Sequence, residues 1–112
     1  MAAATYNLTI DQGSDFAVEF TLSEDGSAKD LTGYSARAQI RKLKADTTVA
    51  ASFNCTIPTP TNGVIKMEMA NAVTKELDAD RYFYDLEIYT ASDAIVTRIM
   101  QGMVVVTQEV TR

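Results

Sequence analysis

Residues 81–90, Arg-Tyr-Phe-Tyr-Asp-Leu-Glu-Ile-Tyr-Thr, alternate with a period of two. Tyr82, Tyr84, Leu86 and Ile88 fall on one side, and Phe83, Asp85, Glu87 and Tyr89 on the other. Apolar residues on one face and charged residues opposite are what a strand half-buried against a second sheet requires. The turn-forming Ala91-Ser92-Asp93-Ala94 follows, and the apolar pattern resumes at Ile95, which predicts a hairpin.

The same alternation recurs along the chain. Tyr6, Leu8 and Ile10 predict a first short strand, and Phe16, Val18, Phe20 and Leu22 a cleaner second one. Tyr34, Ala36, Ala38 and Ile40 line one face of a third, with Arg37, Gln39 and Arg41 on its other face. Ala51, Phe53, Cys55 and Ile57 give a fourth, and Ile65, Met67 and Met69 a fifth. The breaks between them carry turn chemistry. Gly26 follows Glu24-Asp25, Asp30-Leu31-Thr32-Gly33 is a turn with Leu31 tucked inward, and Pro58 to Gly63 cannot continue a ladder. Residues 71–77 alone look helical, with Asn71 as the cap and Val73 and Leu77 four apart on one face. In the last stretch Ile95, Thr97 and Ile99 alternate, Gly102 interrupts, and Met103 to Val110 resumes, so a bulge or a switch between sheets is expected at Gly102.

Seven or eight short strands at hairpin spacing with one helical turn predict an all-β fold. Its natural form is two antiparallel sheets packed face to face, an immunoglobulin-like sandwich. Residues 6–112 form the single domain, and residues 1–5 a small apolar arm that either lies on a neighbour or stays unordered in isolation.

Composition narrows the chemistry. At 112 residues the chain holds one core, and 46% hydrophobic with 22% charged residues is ordinary globular composition. A net charge of -5 opposes phosphate backbones, so no nucleic acid is expected as partner. No apolar run reaches the roughly 20 residues of a membrane span, and the start lacks the pattern of a signal peptide. One cysteine, Cys55, rules out an internal disulfide and fits a reducing compartment.

The absence of histidine removes Ser-His-Asp and Cys-His catalysis and histidine metal sites. Cys55, between Phe53 and Ile57 on an apolar face, reads as a buried structural thiol. Carboxylates are the remaining catalytic material. Asp85 and Glu87 share one outward face, and the simplest assignment pairs them with Arg37 and Arg41 on a neighbouring strand. Asp78 and Asp80 fall short of the 6–8 oxygens that calcium takes. The basic group Arg37, Arg41, Lys42 and Lys44 is short and lacks interleaved exposed aromatics. Phe83 and Tyr89 face outward and lie either under a loop or at a partner surface.

Several segments carry a family likeness. They are residues 6–16, Asp30-Leu31-Thr32-Gly33-Tyr34-Ser35-Ala36, residues 81–88, Gly102 to Val106, and Glu109-Val110-Thr111-Arg112. In order and spacing these resemble the immunoglobulin-like N-terminal domain of phage baseplate upper proteins and related small tailed-phage virion proteins. The likeness spans nearly the whole chain. It departs where the family has a Pro- and Gly-containing turn and this chain has Asp78-Ala79-Asp80; aspartate tolerates left-handed backbone, which would preserve that turn.

The resemblance implies a non-enzymatic virion structural protein with no cofactor, no metal and no small-molecule substrate. It would act in the tail or baseplate, held by other virion proteins and by copies of itself. A chain that closes right after its last strand is expected to be an adaptor or cement rather than a fibre tip. Two alternatives stand beside this: a capsid decoration or neck protein, and a host-glycan-binding module using Tyr89 and Phe83. The interface residues expected on the outward face are Phe83, Tyr89, Arg37, Arg41, Asp85 and Glu87.

Overall fold

A computed structural model describes residues 3–111. Strand β9 (Arg81–Tyr89) is the centre of the larger layer. Its inward residues Tyr82, Tyr84, Leu86 and Ile88 are all buried, as the alternation predicts. On one side it pairs antiparallel with β6 (Ser35–Arg41), on the other with β10 (Val96–Thr107). Two short N-terminal strands, β1 (Ala4–Thr5) and β2 (Leu8–Asp11), both lie against β10 and run parallel to it.

The smaller layer contains β3 (Phe16–Thr21) and β8 (Val64–Met69), paired antiparallel. Strand β7 (Ala51–Thr56) belongs to both layers. Ala51 to Phe53 pair with β6, whereas Asn54 to Thr56 pair with β8, so one strand carries the sheet around the corner. The all-β sandwich expected from the sequence is therefore present, built as one curled sheet rather than two separate ones. The pairing is mixed, because the chain reaches β10 twice from its N-terminal side in the same direction. A small hairpin, β4 (Ser23–Glu24) and β5 (Ser27–Ala28), stands apart, turned by Asp25 and Gly26 at φ of 53° and 81°.

Between the layers pack Leu8, Ile10, Ile40, Phe53, Ile65, Met67, Leu86, Ile88, Val104 and their neighbours. Leu31, brought in by its turn, is fully buried as expected. Asp30 holds that turn by accepting from the Thr32 backbone N–H and hydroxyl at 2.9 and 2.6 Å. Cys55 is half-buried on the inner face, and burial pushes its thiol up to about 11, which keeps it protonated.

Four local expectations are corrected. Ala4 and Thr5 are not a free arm but pair with Met100 and Gln101 of their own chain; residues 1 and 2 of that arm lie outside the described residues. The bulge sits between Arg98 and Met100, not at Gly102. Inward positions are odd-numbered through Ile99 and even-numbered from Met100 to Val106, so one extra residue must be absorbed where the parity changes. Gly102 instead makes room: a Cβ there would stand 2.4 Å from the Tyr6 carbonyl oxygen.

The helix α1 (Asn71–Thr74) is a single turn whose cap residue is Ala70, not Asn71. Val73 is exposed, and Thr74 is the residue fully buried beneath it. Asp15, from the loop before β3, supplies the missing cap by accepting from the Asn71 backbone N–H at 2.8 Å and its side chain at 2.9 Å. The turn at Asp78-Ala79-Asp80 has no left-handed residue. Tyr82 Oη instead donates to the Asp78 carbonyl at 2.7 Å, four residues upstream at the start of β9. A tyrosine hydroxyl bonded to the backbone a few residues upstream is the arrangement called a tyrosine corner.

Candidate interaction face

The outward side of β6, β9 and β10 gathers all six residues expected at an interface. The register sets Arg37 opposite Glu87, Gln39 opposite Asp85, Arg41 opposite Phe83, and Ser35 opposite Tyr89. Because β9 is central, its outward residues are flanked on both sides and only half exposed.

Arg37 and Glu87 form the expected cross-strand pair, with Nε to Oε1 at 2.9 Å. The same guanidinium reaches Asp93 Oδ1 at 3.4 Å and lies 4.3 Å from the centre of the Tyr89 ring. Arg41 does not pair with a carboxylate. It donates to the Asp46 carbonyl at 2.9 Å and to Gln39 Oε1 at 3.1 Å. Asp85 is met instead by Arg98 at 3.4 Å. Burial, and then the neighbouring Glu87 charge, raise the Asp85 carboxyl above its ordinary value, with Arg98 and Arg41 opposing.

Arg98 was the residue that pattern reading missed. Its outward parity was visible, but in register it stands opposite Glu87, and it reaches Asp85 only diagonally across the strand pair.

Phe83 lies neither under a packed loop nor bare. Lys44, from the connection after β6, places Nζ 5.3 Å from its ring centre. Lys42 turns the other way, to Asp80. The four cations of the sequence cluster therefore separate: Arg37 and Lys42 are ion-paired, while Arg41 and Lys44 meet no carboxylate among the described residues.

Beside Phe83 an open groove of about 190 Å³ is lined by Gln39, Arg41, Lys44, Asp85, Arg98 and Gln101. Three cations face one carboxylate there, on a chain whose net charge is -5. Farther along β10, Val105 and Val96 are exposed on the same layer, and Ile95, expected inward, is 51% exposed in the turn before the strand.

Among the described residues no three His, Cys, Asp or Glu side chains come together as a metal cluster, and no helix is long and apolar enough to cross a membrane. No protein-family model matches the sequence, and no curated protein matches it.

Proposed function

We propose that this chain is a virion structural protein of a tailed phage, an adaptor of the tail or baseplate that works by protein–protein contact. The observation that carries the reading is the outward face of β6, β9 and β10. Arg37–Glu87 and Arg98–Asp85 are already paired there, and the Tyr89 and Phe83 rings already have Arg37 and Lys44 over them. Such a face is ordered before any partner arrives, so docking costs little side-chain entropy. The family likeness of the turn-plus-strand segments supports the same reading. Tyr89 and Phe83 have Arg37 and Lys44 over them, which favours docking over sugar stacking.

The test is made on particles of the phage that encodes the chain. Purified virions analysed by mass spectrometry are expected to contain it in many copies per particle. Gold labelling of a tag at the C-terminus is expected to decorate the tail or baseplate. Its absence from purified particles overturns the proposal, and label confined to the capsid or neck moves it there.

A further inference from the structure

The outward positions of β6, β9 and β10 hold more cations than carboxylates, Asp85 and Glu87 standing among them, whereas those of β3 and β8 hold more carboxylates than cations. Arg37, Arg41, Arg81 and Arg98 all stand at outward positions of β6, β9 and β10. Around Phe83, Arg41 and Lys44 meet no carboxylate among the described residues, while Arg98 is paired with Asp85. The opposite side of the sandwich, on β3 and β8, carries Glu19 and Glu68, with Asp15 at the head of β3. Lys66 is the cation among them, opposite Glu19 in register and 3.7 Å from Glu68. An open hollow of about 380 Å³ lies on that side, lined by Asp15, Ala17, Asn54 and Glu68.

We infer that the acidic β3/β8 face of one copy docks on the cationic groove around Phe83 of the next. Two features favour a second copy as the occupant. Each molecule holds both the surplus cations and the surplus carboxylates, so one chain supplies both halves of the contact. The halves also lie on opposite sides of the sandwich, so a contact that uses one leaves the other open. Contacts of that kind are head-to-tail and build a ring if the rotation closes or a stack if it does not. A groove-to-groove pair of two-fold symmetry would bring unneutralised cations together and is disfavoured. β3 is also the edge strand of its layer among the described residues, and Glu19 midway along it opposes antiparallel self-pairing through like charge. Association is thereby left to the faces. The inference deepens the proposed role by naming the surface that copies share, but it concerns the isolated protein and its test needs no virion.

Sedimentation velocity of the purified full chain, from micromolar to millimolar concentration, is expected to show association beyond a dimer. Raising salt from about 0.05 to 0.5 M is expected to weaken it about tenfold or more, since screening shortens from roughly 14 to 4 Å over that range. The double variants Arg41→Glu/Lys44→Glu and Glu19→Lys/Glu68→Lys are each expected to be monomeric, with the circular dichroism of the parent. Mixed one to one, they are expected to associate again, because each provides the sign the other lost. A parent that stays monomeric at every concentration overturns the inference. So does association that Glu19→Lys/Glu68→Lys leaves intact, which would place the contact groove to groove. Association indifferent to salt overturns it as well.

Discussion

Asp85 shows how one position can be written by pattern and decided by packing. Its outward place on β9 follows from alternation, yet it is only half exposed because β6 and β10 flank it. The folded protein therefore holds the Asp85 proton more tightly than the unfolded chain does, for which the ordinary value is 3.8. Stability from that proton is present below the unfolded value and is lost as pH rises through the higher folded one. Asp85→Asn is expected to remove this part of the pH dependence. Urea midpoints of parent and variant measured from pH 3 to 7 should differ least at the acid end and diverge as pH rises, with the variant gaining. A constant difference across that range would show that Asp85 does not titrate this way. Legibility differed from residue to residue here. Arg37 opposite Glu87 could be read from two outward alternations, but Arg98 stands opposite Glu87 and meets Asp85 by a diagonal reach that alternation does not specify.

At the scale of elements, α1 is a single turn that has little standing alone, since isolated helices of under about 12 residues are marginal in water. Its contacts to the β2–β3 loop hold it. Thr74 Oγ1 donates to the Ser14 carbonyl at 2.8 Å and accepts from the Gly13 N–H at 3.1 Å, while Gln12 donates to the Leu77 carbonyl at 2.8 Å. Thr74→Val keeps the shape and leaves both loop groups without that partner. The expected loss is about 1–3 kcal/mol in urea unfolding, with faster amide exchange at Gly13 than at β9. The sequence announced a helical turn through Asn71 and Leu77. It hid Thr74, because a threonine one residue after Val73 and three before Leu77 looks like a surface residue until the loop it serves is brought alongside.

For the whole molecule, the layers depend on β9 and on the strand that turns the corner. Leu86 is fully buried at the middle of β9, and Ile88 and Tyr84 on either side of it are buried too. Leu86→Ala is expected to cost about 2–5 kcal/mol, read as a lower urea midpoint with an unchanged slope. The N-terminal segment is tied to β9 and to its neighbour β10 from the far end of the chain. Tyr84 Oη donates to the Tyr6 carbonyl at 2.5 Å, Tyr6 N–H donates to the Gln101 carbonyl at 2.8 Å, and Asn7 Oδ1 accepts from the Met103 N–H at 3.0 Å. Burial raises the Tyr84 hydroxyl well above its ordinary value, so it stays a donor across the working range of pH.

What the sequence determined by itself is the set of longer strands, their inward faces and most of their turns. Alternation is a local property: each side chain points to one face or the other by backbone geometry alone, whatever lies across from it. Glycine and proline mark turns for equally local reasons. What only the tertiary structure decided is how strands pair. The parallel approach of β1 and β2 to β10, the division of β7 between two layers, the bulge at Ile99 and the capping of α1 by Asp15 join residues far apart in the chain. Their energies exist only once the layers are in contact, and no stretch of sequence carries them alone.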